Sequence, residues 1–132
     1  MRTGSRTVRS LMVIALVAGG ITAATAAPTS AEPITKQACR DNPISYRTTN
    51  YNGEHEWPAR SAGFATTGPN CVDINVRPNQ TVSVRTCFSR TASCNSWRSI
   101  PANTWGLAAT NVLDGTDYWL EFNRDSTGQI AD

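Results

Sequence analysis

Cys87 and Cys94 are separated by Phe-Ser-Arg-Thr-Ala-Ser within a stretch where apolar and polar residues alternate, and this pairing constrains the fold more than any other feature. Val72, Ile74 and Val76 alternate with Asp73, Asn75 and Arg77 until Pro78-Asn79 ends the run, and Val82 and Val84 then alternate with Ser83 and Arg85. A period of two is that of a half-buried strand. The spacing suits a hairpin loop, and cysteines facing each other across it can join. With those two opposed, Arg85 stands against Ser96, Val84 against Trp97 and Ser83 against Arg98. Successive pairs point to opposite faces, so Val82, Val84 and Trp97 are expected inside, with the sulfurs, Arg85 and Arg98 outside.

The alternation continues. A third strand is predicted over roughly 94–100, a fourth over 105–110 with Trp105, Leu107 and Ala109 on one face, and a fifth over 117–123 with Tyr118, Leu120 and Phe122 facing inward. Trp119 and Glu121 then face outward. Between Cys39 and Asn70, Asn42-Pro43, Asn52-Gly53, Trp57-Pro58, Gly63 and Gly68-Pro69 punctuate the chain too often for a long helix. The predicted class is all-β.

The chain of 132 residues opens with Arg2, Arg6 and Arg9, an uncharged apolar run from Leu11 to Ala18, and Ala24-Thr25-Ala26, the pattern of an export signal over 1–26. Residues 27–38, with two prolines and little to bury, read as an extended tail, and residues 39–132 as one domain. Removing the leader leaves nine basic against ten acidic residues, a formal charge of −1, which takes away the electrostatic basis for nucleic-acid binding. No other apolar stretch could span a membrane. Arginine predominates over lysine, with Lys36 alone, a compositional habit of high-GC bacteria. Val, Ile and Leu together number only thirteen beyond the leader, so the core needs its aromatic residues and its staples. Four cysteines in an exported domain favour two disulfides. Cys87 pairing with Cys94 leaves Cys39 for Cys71, although the counts alone permit two other connectivities.

Leu113-Asp114-Gly115-Thr116-Asp117-Tyr118 resembles the L-x-P-x-T-x-Y corner of fibronectin type III domains, with Asp-Gly in place of x-Pro. The resemblance implies a Greek-key, immunoglobulin-like β-sandwich in which the Tyr118 hydroxyl bonds to backbone a few residues upstream. Gly115 would supply the turn. In overall plan, a signal, a short tail and a disulfide-bonded β domain, the chain is similar to the small adaptor of umbrella-type toxin particles. That similarity implies a subunit joining other secreted proteins.

His55 lies between Glu54 and Glu56, but in an extended chain the carboxylates share a face that the imidazole does not, and no Gly-x-Ser-x-Gly elbow occurs. The chain is therefore expected to be non-catalytic, with no cofactor and no metal. The expected contact residues are Trp119, Trp57, Tyr46 and Tyr51, whose rings could meet a protein or a sugar, and Arg90, which projects from the loop between Cys87 and Cys94. The leading expectation is a secreted, extracellular adaptor that binds other secreted proteins, its tail adding as a strand to a partner's sheet. A carbohydrate or cell-wall binding module and an inhibitor of an extracellular hydrolase acting through Arg90 are the alternatives.

Overall fold

The computed structural model describes residues 39–132, and the predicted signal and tail lie outside the described residues. Among the described residues, eleven short strands form two antiparallel sheets packed as a β-sandwich: β1 (Ile44–Arg47), β2 (Thr49–Tyr51), β3 (Glu54–Trp57), β4 (Ala65–Thr66), β5 (Ile74–Pro78), β6 (Val82–Phe88), β7 (Ser93–Cys94), β8 (Arg98–Ile100), β9 (Gly106–Ala109), β10 (Asp117–Phe122) and β11 (Thr127–Ala131). The small sheet runs β1-β11-β5-β9. The large one runs β2-β3-β10-β6-β7, with β4 beside β10 and β8 beside β6. Sheet neighbours are mostly distant in sequence because the chain repeatedly crosses from one layer to the other, as in a Greek key.

Period-two alternation builds the core as expected. Ile74 and Val76 from β5, Val82 and Val84 from β6, Tyr118, Leu120 and Phe122 from β10, and Ile130 from β11 pack in one cluster. Tyr46 joins them. Its ring stacks on Phe122 at 5.1 Å and its hydroxyl shares a hydrogen bond with Ser126 Oγ at 2.7 Å, so it seals the core instead of offering a contact surface. Trp57 also faces inward, pairing with Leu120 in register and tilting over Tyr118. Asn52 and Gly53 both have left-handed backbone, at φ 53° and 89°, the two-residue turn whose twist matches that of the strands it joins.

Both disulfides form as expected, Cys87 with Cys94 and Cys39 with Cys71. The second ties the first described residues over the outer face of β5. Asn75, placed outward by alternation, is consequently buried, donating to Asp73 O and accepting Arg40 Nη2 at 2.8 Å.

Two expectations fail for definable reasons. The register set by the cysteines holds at Cys87–Cys94 and Phe88–Ser93, but β8 pairs Val84 with Arg98 and Ser83 with Ser99. One extra residue has entered the strand. Asn95 causes the slip: its N–H donates to Thr86 O at 2.9 Å, and its side-chain Oδ1 accepts Thr86 N–H at 2.7 Å. One residue thus makes two ladder bonds, the chain bulges behind it, and Trp97 turns to the outside, 47% exposed. A slip of one residue exchanges the faces.

The corner at Leu113–Tyr118 also differs from the fibronectin pattern. Tyr118 is fully buried, yet its hydroxyl donates to the Asp132 carboxylate and not to upstream backbone. Thr67 holds the crossing instead: its Oγ1 donates to Leu113 O at 2.7 Å and accepts Thr116 N–H at 2.9 Å. Gly115 supplies the turn at φ 73°, and Leu113 is 80% exposed.

Two outcomes follow for stability. The bridges close loops 32 and 7 residues apart in sequence, and cross-link entropy grows with loop length. Replacing Cys39 and Cys71 by Ser should cost about 3–4 kcal/mol and replacing Cys87 and Cys94 about 2–3 kcal/mol, compared by urea midpoints. In alkali, burial pushes the Tyr46 phenol up from 10 to about 12, and burial beside the Asp132 carboxylate raises Tyr118 as well. The folded state then holds protons that the unfolded state releases, so stability is full below pH 10 and falls as pH rises through 12. Tyr46→Phe should flatten that decline, measured by urea unfolding across pH 9–12.

Candidate functional site

Strand β10 has different surroundings on its two faces. Tyr118, Leu120 and Phe122 enter the core, so Trp119 and Glu121 stand on the outer face of the large sheet, as alternation predicts. Register then sets a row across four strands: Thr49 opposes Glu56, Glu56 opposes Glu121, and Glu121 opposes Arg85. In the next row Trp119 opposes Cys87, itself joined to Cys94. At the far end Tyr51 opposes Glu54.

The segment after β3 folds back over this row. It passes through Pro58 and a 3₁₀ turn at Arg60–Ala62, and Gly63, at φ 84°, reverses it. Arg60 is thereby returned above β3, donating from Nε to Glu56 Oε2 at 2.7 Å and from Nη2 to Glu56 Oε1 at 2.6 Å and Glu54 Oε2 at 2.9 Å. The bidentate bond matches the planar geometry of both groups. The guanidinium also lies 4.0 Å above the Tyr51 ring. Glu56 is only 2% exposed, and its carboxylate raises the Arg60 pKa still further above its ordinary range.

A second pair repeats the arrangement. Arg85 Nε donates to Glu121 Oε2 at 2.7 Å, its guanidinium lies 4.7 Å from the Trp97 ring, and Glu121 Oε1 accepts the Trp119 indole N–H at 3.1 Å. Each arginine is thus fixed between a carboxylate and an aromatic ring. Phe64, delivered by the same folded segment, tilts against Trp119 with ring centroids 5.8 Å apart. Beside them lies a groove of about 370 Å³, lined by Glu56, Pro58, Arg60, Gly63, Phe64 and Trp119. Carboxylate oxygens of Glu54, Glu56 and Glu121 lie within 4.8 Å of one another. Two guanidinium groups already provide their countercharge.

The expected contact residues are therefore dispersed. Trp119 and Tyr51 belong to this face, Tyr46 and Trp57 to the interior. Arg90 is exposed on the loop between Cys87 and Cys94, where Ala92 takes left-handed backbone at φ 50°. His55 faces away from its glutamate neighbours and meets Asp125, Nδ1 to Oδ1 at 2.7 Å, so histidine and glutamates form no single cluster. Sequence reasoning missed Arg60, Phe64, Glu56 and Trp97 as site residues. The available signal was Glu56 and Arg60 four positions apart around a proline, followed by Gly63. Searches of family models, curated proteins and solved structures find no match to the chain.

Removing Arg85 leaves the largely buried Glu121 with only the indole N–H, so Arg85→Ala should cost about 1–3 kcal/mol. Arg85→Ala combined with Glu121→Leu should recover part of that loss, because no charge is then left without a partner. Urea unfolding of the three variants tests both statements.

Proposed function

We propose that the protein is an exported, non-catalytic binding module that holds another extracellular protein against the outer face of its large sheet. The supporting observation is the company kept there: Trp97, Trp119, Tyr51 and Phe64 on one face, interleaved with Arg60 and Arg85. Phe64 is 55%, Trp97 47% and Tyr51 45% exposed. Trp, Tyr and Arg are the residue types that dominate the energetics of protein interfaces, and exposed aromatic groups concentrated on one face of a small domain mark a contact surface. Both guanidinium groups are held in place before any partner arrives, which lowers the ordering cost of association.

Binding in place of chemistry is favoured by the way the polar groups are used. Glu56 and Glu121 are committed to arginines and His55 to Asp125. The same fact favours a protein over a sugar. Saccharides need directional donors and acceptors turned outward beside the rings, whereas the carboxylates here face their own arginines. Two disulfides suit an oxidising compartment, and the leader pattern and the shared plan with small toxin-particle adaptors support a place as a subunit of an extracellular assembly. A second reading, inhibition of an extracellular hydrolase, is favoured by one observation only, the exposed Arg90 on a loop clipped at both ends.

The test is affinity capture from the producing culture's supernatant with protein biotinylated at Lys36, the sole lysine. A stoichiometric secreted protein should be recovered, and Trp97→Ala or Trp119→Ala should reduce recovery at least tenfold, the weight of a single interface hot spot, with Arg90→Ala harmless. A captured protease lost on Arg90→Ala but retained by both tryptophan variants would establish the inhibitor reading. Retention on glycan or cell-wall matrices, lost on Trp119→Ala, would replace the protein partner with a carbohydrate.

A further inference from the structure

We infer that the open edge of the small sheet at β1 is a second docking surface, one that accepts an extended strand of a partner protein. It is independent of the outer face of the large sheet. Hydrogen-bond accounting carries the argument. Thr48 N–H donates to Ser126 O at 2.9 Å, continuing the β1–β11 register in which Ile44 opposes Ile130 and Tyr46 opposes Gly128. In an antiparallel ladder the bonded pairs alternate, so Ile44 and Tyr46 bond to β11 while Ser45 and Arg47 turn their N–H and C=O groups to the edge. No described residue meets those four groups. Backbone polar groups left open along an edge are a template for another strand.

The two far edges are treated differently, while β2, the near edge of the large sheet, is only three residues long. On β9, at the far side of the same sheet, Asn95 Nδ2 donates to Ala108 O at 2.7 Å and Arg98 Nη1 to Leu107 O at 3.4 Å, so side chains from the large sheet occupy carbonyls of this strand. In the large sheet β7 is only two residues long. At β1 no described residue makes such a cap, and Ile44, on the same face as buried Tyr46, remains 47% exposed.

These features specify the occupant. It is extended, it carries an apolar side chain to complete the packing beside Ile44, and it places a carboxylate near Arg47, which is exposed and pairs with no described acid. Main-chain bonds would give affinity and the two side-chain positions specificity, as in other strand additions.

The test uses ¹⁵N-labelled protein and a capped octapeptide of alternating Val and Thr with one central Asp. Bound peptide should slow hydrogen exchange at the Ser45 and Arg47 amides at least tenfold while leaving Trp97 and Trp119 signals unmoved, and Asp→Lys in the peptide should weaken binding about threefold, the worth of an exposed ion pair. Ser45→Pro removes an edge N–H without touching the bonds to β11 and should abolish binding. Arg47→Glu should reverse the peptide's charge preference, which keeps the proposal testable if the proline variant does not fold. Unchanged exchange at about 1 mM peptide, a dissociation constant beyond the weak end of useful recognition, would overturn the inference. So would binding by folded Ser45→Pro, or Ser45 and Arg47 amides already protected in the free protein, which would give the edge to this chain's own residues or to a second copy.

Discussion

Strand β10 is bonded on both sides, to β3 and β4 along one edge and to β6 along the other, and this double pairing fixes which of its side chains enter the core. With Tyr118, Leu120 and Phe122 buried almost completely, a one-residue shift of register would drive Trp119 and Glu121 into the interior and expose three core side chains. The energy of apolar burial, roughly 1.5–3 kcal/mol for each such side chain, therefore also determines the position of the candidate site. Site and core are two faces of one strand. The outer face can hold charged and aromatic groups because the inner face leaves the strand no alternative alignment.

What the outer face does with its charges differs from an ordinary solvated surface. Isolated exposed ion pairs contribute little, but here Glu56 and Glu121 are largely covered, and each would be costly without its arginine. Arg60 and Arg85 in turn lie over the rings of Tyr51 and Trp97, 4.0 and 4.7 Å from their centroids. The covered carboxylates act from below as anchors, fixing the aromatic and guanidinium groups in one presentation. Because the anchoring bonds are short and partly screened from solvent, ionic strength should affect them less than it would a loose surface network.

Much of the architecture was legible from the sequence because period-two patterning is a direct consequence of how strands present side chains. Ile74, Val76, Val82, Val84 and the alternate residues of β10 announce their faces without help from the rest of the chain. Spacing alone gave the hairpin staple, and the remaining cysteines followed from it. What stayed hidden depended on contacts distant in sequence. Asn75 appears polar and outward until Cys39 brings Arg40 across it, and Tyr118 resembles a corner tyrosine until β11 brings Asp132 to its hydroxyl. In the site, Trp119 could be found by counting, whereas Arg60 and Phe64 could not, since only the return of the 58–64 segment over β3 makes them neighbours of Glu56 and Trp119. Tyr46 and Trp57 illustrate the converse: a turn-rich segment hid the two short strands that carry them inward.

Asn95 shapes both the far edge of the small sheet and the outer face of the large one. Its main chain and Oδ1 satisfy both backbone groups of Thr86, its Nδ2 caps a carbonyl on the far edge of the small sheet, and the bulge behind it turns Trp97 over Arg85. An alanine in its place would leave Thr86 N–H and Ala108 O without partners and remove the reason for the bulge. The regular hairpin that the cysteine register alone implies would then draw Trp97 inward, against a core already filled by Val82 and Val84, and strip Arg85 of its aromatic support. A single amide thus closes one edge and opens the aromatic face. The capped carbonyl on β9 and the presence of Trp97 at the surface are two consequences of the same local choice.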